Sequence, residues 1–481
     1  MWRLKRAVHV SWLVAVLCVG FLVGVYLAAS MQVAGASWVW LASAFILLTV
    51  GLIKRIWVII PLVLVAGVLI GLVRGSVAAD DLQKTQIYYG MEVEVEGTVK
   101  EDADVGASGQ MVLRLANITI NNQDMPGVVW VSVSPADIKR GDIVTVFGKL
   151  DEGFGSFVGS MYRAGVREIV QPKPGDVARV VRDWFADATR EFIPEPQASL
   201  GIGYLVGQRR ALPMELGEAL QIAGLTHVVV ASGYNLTILV RFSRRFLVQK
   251  SKYLSTAVSG AMVVCFIAVT GISPSMSRAG LVAGLSLLAW YYGRCFHPLV
   301  LLPLAAAVTV AINPGYIWGD IGWQLSFAAF AGVMILAPLL QRFFFGETKP
   351  GTVRQILGET ISAQIATAPI LIAAFGQFSN VAIIANLLVL PLVPLAMLLT
   401  FVAGVASLAL PAWGAFIGLP ATWLLGYMVE VAQTVSELSW ALMEIEVGWQ
   451  FVAGAYMVLA LVCFYLSKTT KYRLREVNIV E

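Results

Sequence analysis

The chain has 481 residues, of which 58% are hydrophobic and 13% charged, with a mean hydropathy of +0.77. A soluble domain carries about 25% charged residues, so this composition excludes a water-soluble globular protein and defines a polytopic membrane protein. The net charge of +4 matters less than where the positive residues fall. Cys18, Cys265, Cys295 and Cys463 stand far apart, in or beside apolar runs and without a CxxC pair. They read as small buried hydrophobes rather than metal ligands or disulfide partners.

In chain order, residues 8–29, 37–52 and 57–77 are three candidate spans of bilayer length. The first is too long for the apolar core of a signal peptide and reads as a retained span. Residues 80–170 then alternate polar and apolar positions: 91–99, 111–115, 128–133 and 143–148 are strand-like, with Gly and Asp at the breaks. About five short strands suit a partly open barrel of the OB type or a fragment of a β-sandwich. Residues 176–192 place Val177, Val180, Val181, Trp184 and Phe185 on one helical face. That is the pattern of a helix at a membrane interface or against protein. Beyond residue 226, spans are expected at 226–242, 254–271, 276–293, 298–313, 322–341, 356–376, 380–409, 413–440 and 450–467. The longer ones have breaks available at Pro391, Pro394 or Gly426. Glu430, Glu437 and Glu444, seven apart, would form one stripe on a helix over 427–446.

About twelve crossings result. Arg3, Lys5, Arg6, Lys54, Arg55, the cluster Arg241–Lys252, Arg342, Lys349, Arg354 and the basic residues 468–475 then fall on one side, the cytoplasm by the positive-inside rule. Both termini are expected there and the β domain outside. The expected parts are N-terminal helices (1–78), an extracytoplasmic OB-like domain (79–172), interfacial helices (173–222), a polytopic domain (223–468) and a cytoplasmic tail (469–481).

Polar residues interrupt the apolar sequence in four blocks. Gly201-Ile202-Gly203-Tyr204 through Gln208-Arg209-Arg210 leads into Gly224-Leu225-Thr226-His227 and Ala231-Ser232-Gly233-Tyr234-Asn235. Pro274-Ser275-Met276-Ser277-Arg278 is the second. Asn313-Pro314 with Asp320-Ile321-Gly322-Trp323-Gln324-Leu325-Ser326-Phe327 is the third. Ala368-Pro369, Phe375-Gly376, Ala385-Asn386 and Pro391-Leu392 make the fourth. Polar groups at membrane depth are costly and face a cavity, a partner helix or a substrate path.

In order and spacing these blocks resemble the ComEC family of competence proteins, over nearly the whole chain. The resemblance implies an inner-membrane channel that passes single-stranded DNA into bacteria during natural transformation. It implies an OB-like domain outside the membrane. It also implies three partners: a surface DNA receptor, a nuclease and a cytosolic ATPase motor. The family's Ser-Gly-x-His is Ser232-Gly233-Tyr234-Asn235 here, which keeps hydrogen bonding but loses titration near neutral pH. Family members that carry a metallo-β-lactamase-like nuclease need an H-x-H-x-D-H cluster. The histidines here are His9, His227 and His297, so strand degradation is expected from a separate protein, with no enzymatic activity and no cofactor or metal in this chain.

The expected DNA path comprises His227, Ser232, Asn235, Ser275, Ser277, Arg278, Asp320, Gln324, Ser326 and Asn386. For Ser232 and Asn235, three apart, the alternative is interhelical hydrogen bonding. Arg278, whose fork suits phosphate, has the alternative of an ion pair with Asp320. In the β domain, Trp130, Phe147, Phe154, Phe157 and Tyr162 are stacking candidates, the alternative being core aromatics. Residues 80–170 hold 14 Asp+Glu against 8 Lys+Arg. DNA contact there requires a local basic face, for which Lys139, Arg140, Lys149, Arg163 and Arg167 are candidates, with Trp130 beside them. A transporter of a small solute or lipid-linked substrate, with broken helices at the midplane, is one competing function. A membrane enzyme using His227, Arg278 and Asp320 is another. No P-loop, GxSxG or HExxH motif is present.

Overall fold

The protein is represented by a computed structural model that describes residues 9–31, 38–54, 59–105, 109–173, 175–208, 212–229, 232–247, 249, 251–271, 273–294, 297–348, 350–409 and 413–472. Arg3, Lys5, Arg6, Arg55, Arg209, Arg210, Val230, Ala231, Lys250, Cys295, Lys349 and residues 473–481 of the tail lie outside them. Two compact units emerge, Met1–Gly175 with Leu299–Gln324, and Asp176–Pro298 with Leu325–Glu481. They cut the chain differently from the expected parts, because residues 299–324 join the N-terminal helices and the β domain. Among the described residues, seven helices are long and apolar enough to cross a membrane, and two shorter apolar helices accompany them.

In the first unit, α1 (Val10–Ser30), α2 (Trp38–Lys54) and α3 (Ile59–Gln86) precede the β domain. Helices α1 and α3 lie parallel with their backbones touching. A Cβ on Gly24 would sit 2.1 Å from the Val68 carbonyl oxygen, and one on Gly71 2.1 Å from that of Phe21. Glycines four apart on both helices (20 and 24; 67, 71 and 75) provide the small-residue seam that lets helices associate in lipid, where apolar burial gives no drive. The sequence reading did not single out this seam.

The β domain comprises β1 (Glu92–Val99), β2 (Asp104–Val105), β3 (Met111–Ile120), β4 (Gln123–Val133), β5 (Ile143–Lys149), β6 (Asp151–Glu152) and β7 (Gly159–Val170). Its order β1-β5-β7-β4-β3 closes on itself through β1–β3, with β4 and β7 parallel and every other pairing antiparallel. This ring is the five-stranded OB barrel and excludes the sandwich fragment. Alternation explains it: Val93, Val95, Leu113, Leu115, Val129, Val131, Val144 and Val146 fill the interior, each 2% exposed or less. Closure pairs the edges that an open sheet would leave free.

The remainder of this unit is α11 (Pro298–Ile312), the short α12 (Tyr316–Gly319) and the start of α13 (Ile321–Ala331). Gly155, at φ +62, brings its backbone against Gly319. A Cβ on Gly319 would lie 2.0 Å from the Gly155 oxygen. The barrel loop after β6 is thereby seated on the α12 turn. Arg74 of α3 donates to the Ala311 and Ile312 carbonyls at 2.8 and 3.1 Å, satisfying the open end of α11.

The second unit begins with α4 (Val177–Arg190), whose first turn is capped by Asp176. Phe185 stacks on Phe401 at 6.1 Å, while Val177, Val180, Val181 and Trp184 stay exposed. The helix therefore packs on protein with one face and presents an apolar stripe with another. Then follow α5 (Gln197–Val206), α6 (Met214–Ile222), α7 (Thr226–Val229), α8 (Gly233–Leu247), α9 (Lys252–Thr270) and α10 (Pro274–Tyr291). The continuous span expected over 226–242 is instead two helices separated before Gly233.

Continuing from α13, a π-helical turn (Gly332–Leu336) runs into α14 (Ala337–Phe345), followed by α15 (Thr352–Phe375). Next come β8 (Gln377–Ser379), α16 (Ala382–Val389), a 3₁₀ turn (Leu390–Leu392), α17 (Val393–Ala409), α18 (Gly414–Ser436), β9 (Leu442–Glu444) and α19 (Trp449–Thr470). The break falls at Pro391, not Gly426, which lies inside α18. Proline lacks the N–H that would continue the ladder. The Leu390 carbonyl accepts the Val393 N–H of the 3₁₀ turn and also a hydrogen bond from the Tyr234 hydroxyl at 3.4 Å. The expected helix over 427–446 ends at Ser436, and Glu444 belongs to β9, paired antiparallel with β8. The glutamate stripe therefore does not exist. The core of this unit gathers Leu200, Tyr204, Val228, Val389, Met397, Leu425 and their neighbours from α5–α7 and α16–α18.

Candidate functional site

The polar blocks of the second unit meet at the starts of α8 and α10. Gly271 ends α9, Ser273 caps α10 by accepting from the Met276 N–H at 3.2 Å, and Pro274 occupies the first turn, where its missing N–H costs nothing. Ser277 donates to the Ser273 carbonyl at 2.9 Å, a bond within the first turn of α10. Arg278 follows one residue later, half-buried. Its Nε donates to Ser326 Oγ at 2.7 Å, and its guanidinium carbon lies 5.2 Å from the Phe330 ring centroid and 5.8 Å from that of Phe327. Ser326 in turn donates to Ser275 Oγ at 3.4 Å. On the α8 side, a Cβ on Gly233 would lie 3.4 Å from Arg278 Nη2. That is ordinary van der Waals distance; the tighter neighbour is Ala279 Cβ at 3.1 Å, so α8 begins in direct contact with α10.

Among the described residues of its own unit Arg278 forms no ion pair, and Asp320, the alternative partner read from the sequence, belongs to the other unit. Asp320 Oδ1 instead accepts the Trp323 N–H at 2.7 Å and starts α13. Gln324 Nε2 donates to the Ile317 carbonyl at 3.2 Å. Both side chains therefore organise the α12–α13 corner of the first unit. The cation is stabilised by rings and one hydroxyl, with cation–π contacts contributing roughly 0.5–2 kcal/mol. That is less than a carboxylate would give at close range, and it leaves guanidinium N–H donors for an anion.

Ser232 and Asn235 do not share one helical face as their spacing suggested, because Ser232 precedes α8. Asn235 is fully buried, and its Nδ2 donates to the Tyr204 and Val228 carbonyls at 3.1 and 3.4 Å. It ties α8 to the end of α5 and to α7, the packing alternative for this residue. Its Oδ1, the Ser232 hydroxyl and the Asn386 Oδ1 (Asn386 is 4% exposed) are shielded atoms without a hydrogen-bond partner among the described residues. His227 lies on the exposed side of α7.

In the β domain the aromatic residues separate into two sets. Trp130 lies 5.5 Å from Phe154 and 5.1 Å from Tyr162, and Phe154 lies 5.3 Å from Phe157. Phe154 is 45% and Tyr162 58% exposed, so this cluster is a surface and not core. Phe147 is apart from it, beneath Arg167 at 4.4 Å. The expected basic face is mostly neutralised. Arg140 is 5% exposed, Lys139 pairs with Asp137, Lys149 with Asp151 and Arg167 with Glu94. Arg163, exposed next to Tyr162 at φ +54, makes no ion pair among the described residues.

Phe330, the nearer ring over Arg278, was absent from the sequence reading. Its signal was the spacing Phe327–Phe330, three apart on the helix that carries Ser326. Among the described residues no group of three or more His, Cys, Asp or Glu could hold a metal ion.

A multi-pass membrane protein with an OB barrel and an arginine caged by aromatic rings is the class that fold and site define. Residues 204–469, more than half the chain, match the family model for competence protein, and the chain belongs to that family. It is also 26% identical over 228 residues to ComE operon protein 3 of Bacillus subtilis (strain 168), a stretch covering 47% of this chain and 28% of that protein. The chain thus spans well under two thirds of this relative's length. No solved structure matches.

Proposed function

We propose that the protein is a channel that passes single-stranded DNA across the bacterial cytoplasmic membrane during natural transformation. The observation that carries this reading is Arg278: a guanidinium without a carboxylate partner among the described residues of its unit, held in place by Ser326, Phe327 and Phe330 with donors to spare. Membership of the competence family supports DNA as the cargo. The exposed Trp130–Phe154–Tyr162 cluster beside Arg163 suits successive bases and their phosphates, since stacking on aromatics is tolerant of sequence. In this reading the barrel lies outside the cytoplasm, the termini inside, and the spans number about twelve. A surface receptor delivers the strand, a separate nuclease produces it, and a cytosolic ATPase pulls it. The chain itself supplies no chemistry.

The test is cytoplasmic uptake of labelled DNA in a deletion strain complemented with wild type, Arg278→Ala or Arg278→Lys. DNA that reaches the cell surface but not the cytoplasm without the protein, together with failure of Arg278→Ala at normal membrane levels, is the expected result. Unchanged uptake in the deletion strain removes this reading. A second reading draws on the helix breaks before Gly233 and at Leu390–Leu392, joined through Tyr234. Such discontinuities hold small solutes in transporters. It predicts solute flux by the purified protein without any dependence on DNA.

A further inference from the structure

The glycine seam holds α1 against α3 as far as Gly75, which meets Ala28. Beyond it a cavity of about 410 Å³ opens between the last turns of α1 and α3 and the α12 turn. Tyr26, Ser30, Ala79, Gln83, Gln86 and Trp318 line it, and no acidic or basic side chain does. The neighbouring cation, Arg74, is engaged with the α11 carbonyls. Among the described residues the Tyr26 hydroxyl, the Trp318 indole N–H and the Gln83 and Gln86 carboxamides have no hydrogen-bond partner.

We infer that this cavity receives a single nucleobase of the conducted strand, an inference that rests on the DNA reading above. The lining decides the class of ligand. A phosphate, free or on a lipid, gains most from a cation, and none lines the site. An acyl chain would bury four polar groups against methylenes, at about 1–3 kcal/mol for each one left unsatisfied. A flat uncharged ring with donors and acceptors on its edge meets both demands. Tyr26 and Trp318 offer aromatic surface to any base. Each glutamine amide presents a donor and an acceptor and can turn to suit different edges. The position agrees with this. Trp318 belongs to the four-residue turn whose Gly319 meets Gly155, and Gly155 lies between Phe154 and Phe157 of the aromatic cluster. A strand lying on the cluster is therefore one loop away from the cavity.

The test uses the full chain in phosphatidylcholine nanodiscs and a thymidine oligonucleotide carrying 4-thiothymidine for photocrosslinking. Adducts on Tyr26 or Trp318 are expected. The double change Gln83→Ala, Gln86→Ala alters exposed helix positions that the fold does not need, and should weaken binding roughly 10-fold, the size of two lost hydrogen bonds. An abasic oligonucleotide should bind wild type and the double variant equally. Adducts confined to the β domain, with unchanged affinity in the double variant, would overturn the cavity assignment and leave the DNA reading standing. A loss that persists on the abasic oligonucleotide would also overturn it, since the base would then not be what is recognised. If no oligonucleotide binds the intact protein, the DNA reading and this inference fall together.

Discussion

The OB barrel and the helical unit around Arg278 treat polar side chains in opposite ways. In the barrel, several basic side chains are paired, Arg163 being an exception: Arg114 bridges Glu101 and Asp104, Lys149 meets Asp151 and Arg167 meets Glu94. Among the described residues of the helical unit, Arg278 has no carboxylate partner, and acceptor atoms of Asn235 and Asn386 stand without partners. An exposed ion pair contributes about 0–1 kcal/mol, so pairing in the barrel says little about its purpose. An unpartnered polar group in apolar surroundings costs more, about 1–3 kcal/mol. Retaining one therefore points to a ligand that arrives during use.

The largest effect expected from breaking this contrast is at Arg278. Arg278→Ala should lower cytoplasmic DNA uptake about 10- to 100-fold, as loss of a hydrogen bond to a charged group does, with membrane insertion unchanged by protease mapping. If uptake stays normal, the missing carboxylate carries no functional meaning. Next is Trp130→Ala, which removes the centre of the aromatic cluster. Oligonucleotide affinity measured by anisotropy should fall by about 1–3 kcal/mol, or about 5- to 150-fold, while barrel folding by circular dichroism persists. Asn235→Leu separates packing from conduction. It leaves the Tyr204 and Val228 carbonyls without their donor, and thermal unfolding in detergent should show a loss of about 1–3 kcal/mol. Full stability with abolished uptake would instead make Asn235 a path residue. Gly233→Ala sharpens the picture further. The added methyl presses on Ala279 Cβ at 3.1 Å, next to Arg278, so uptake should drop a few-fold, roughly the 1 kcal/mol that small-to-large packing changes cost. The smallest effect is expected for Arg167→Ala, below about 1 kcal/mol in barrel stability and smaller still in high salt.

Much of the β domain was legible in the sequence because strand alternation is local. Val93, Val95 and the Leu113–Leu115 pair announce which face is buried without reference to any other strand. Proline and glycine positions likewise gave away the breaks at Ser273–Pro274 and Pro391, since a missing N–H acts on its own helix. The break before Gly233 escaped, because the run from Thr226 is apolar enough to read as one span.

Partnership was not legible. Composition and charge determined a membrane protein with a soluble-type β insert, and the ordered polar blocks pointed to its family. Only the tertiary structure decided that Arg278 lies under Phe330 and against Gly233, and that Asp320 and Gln324 shape a corner instead. It alone turned Lys139, Lys149 and Arg167 from a basic face into neutral pairs. The reason is physical: a residue's type fixes what it can bond to, but the free energy of a polar group depends on which groups lie within about 3 Å of it. Those neighbours come from elements dozens of residues away.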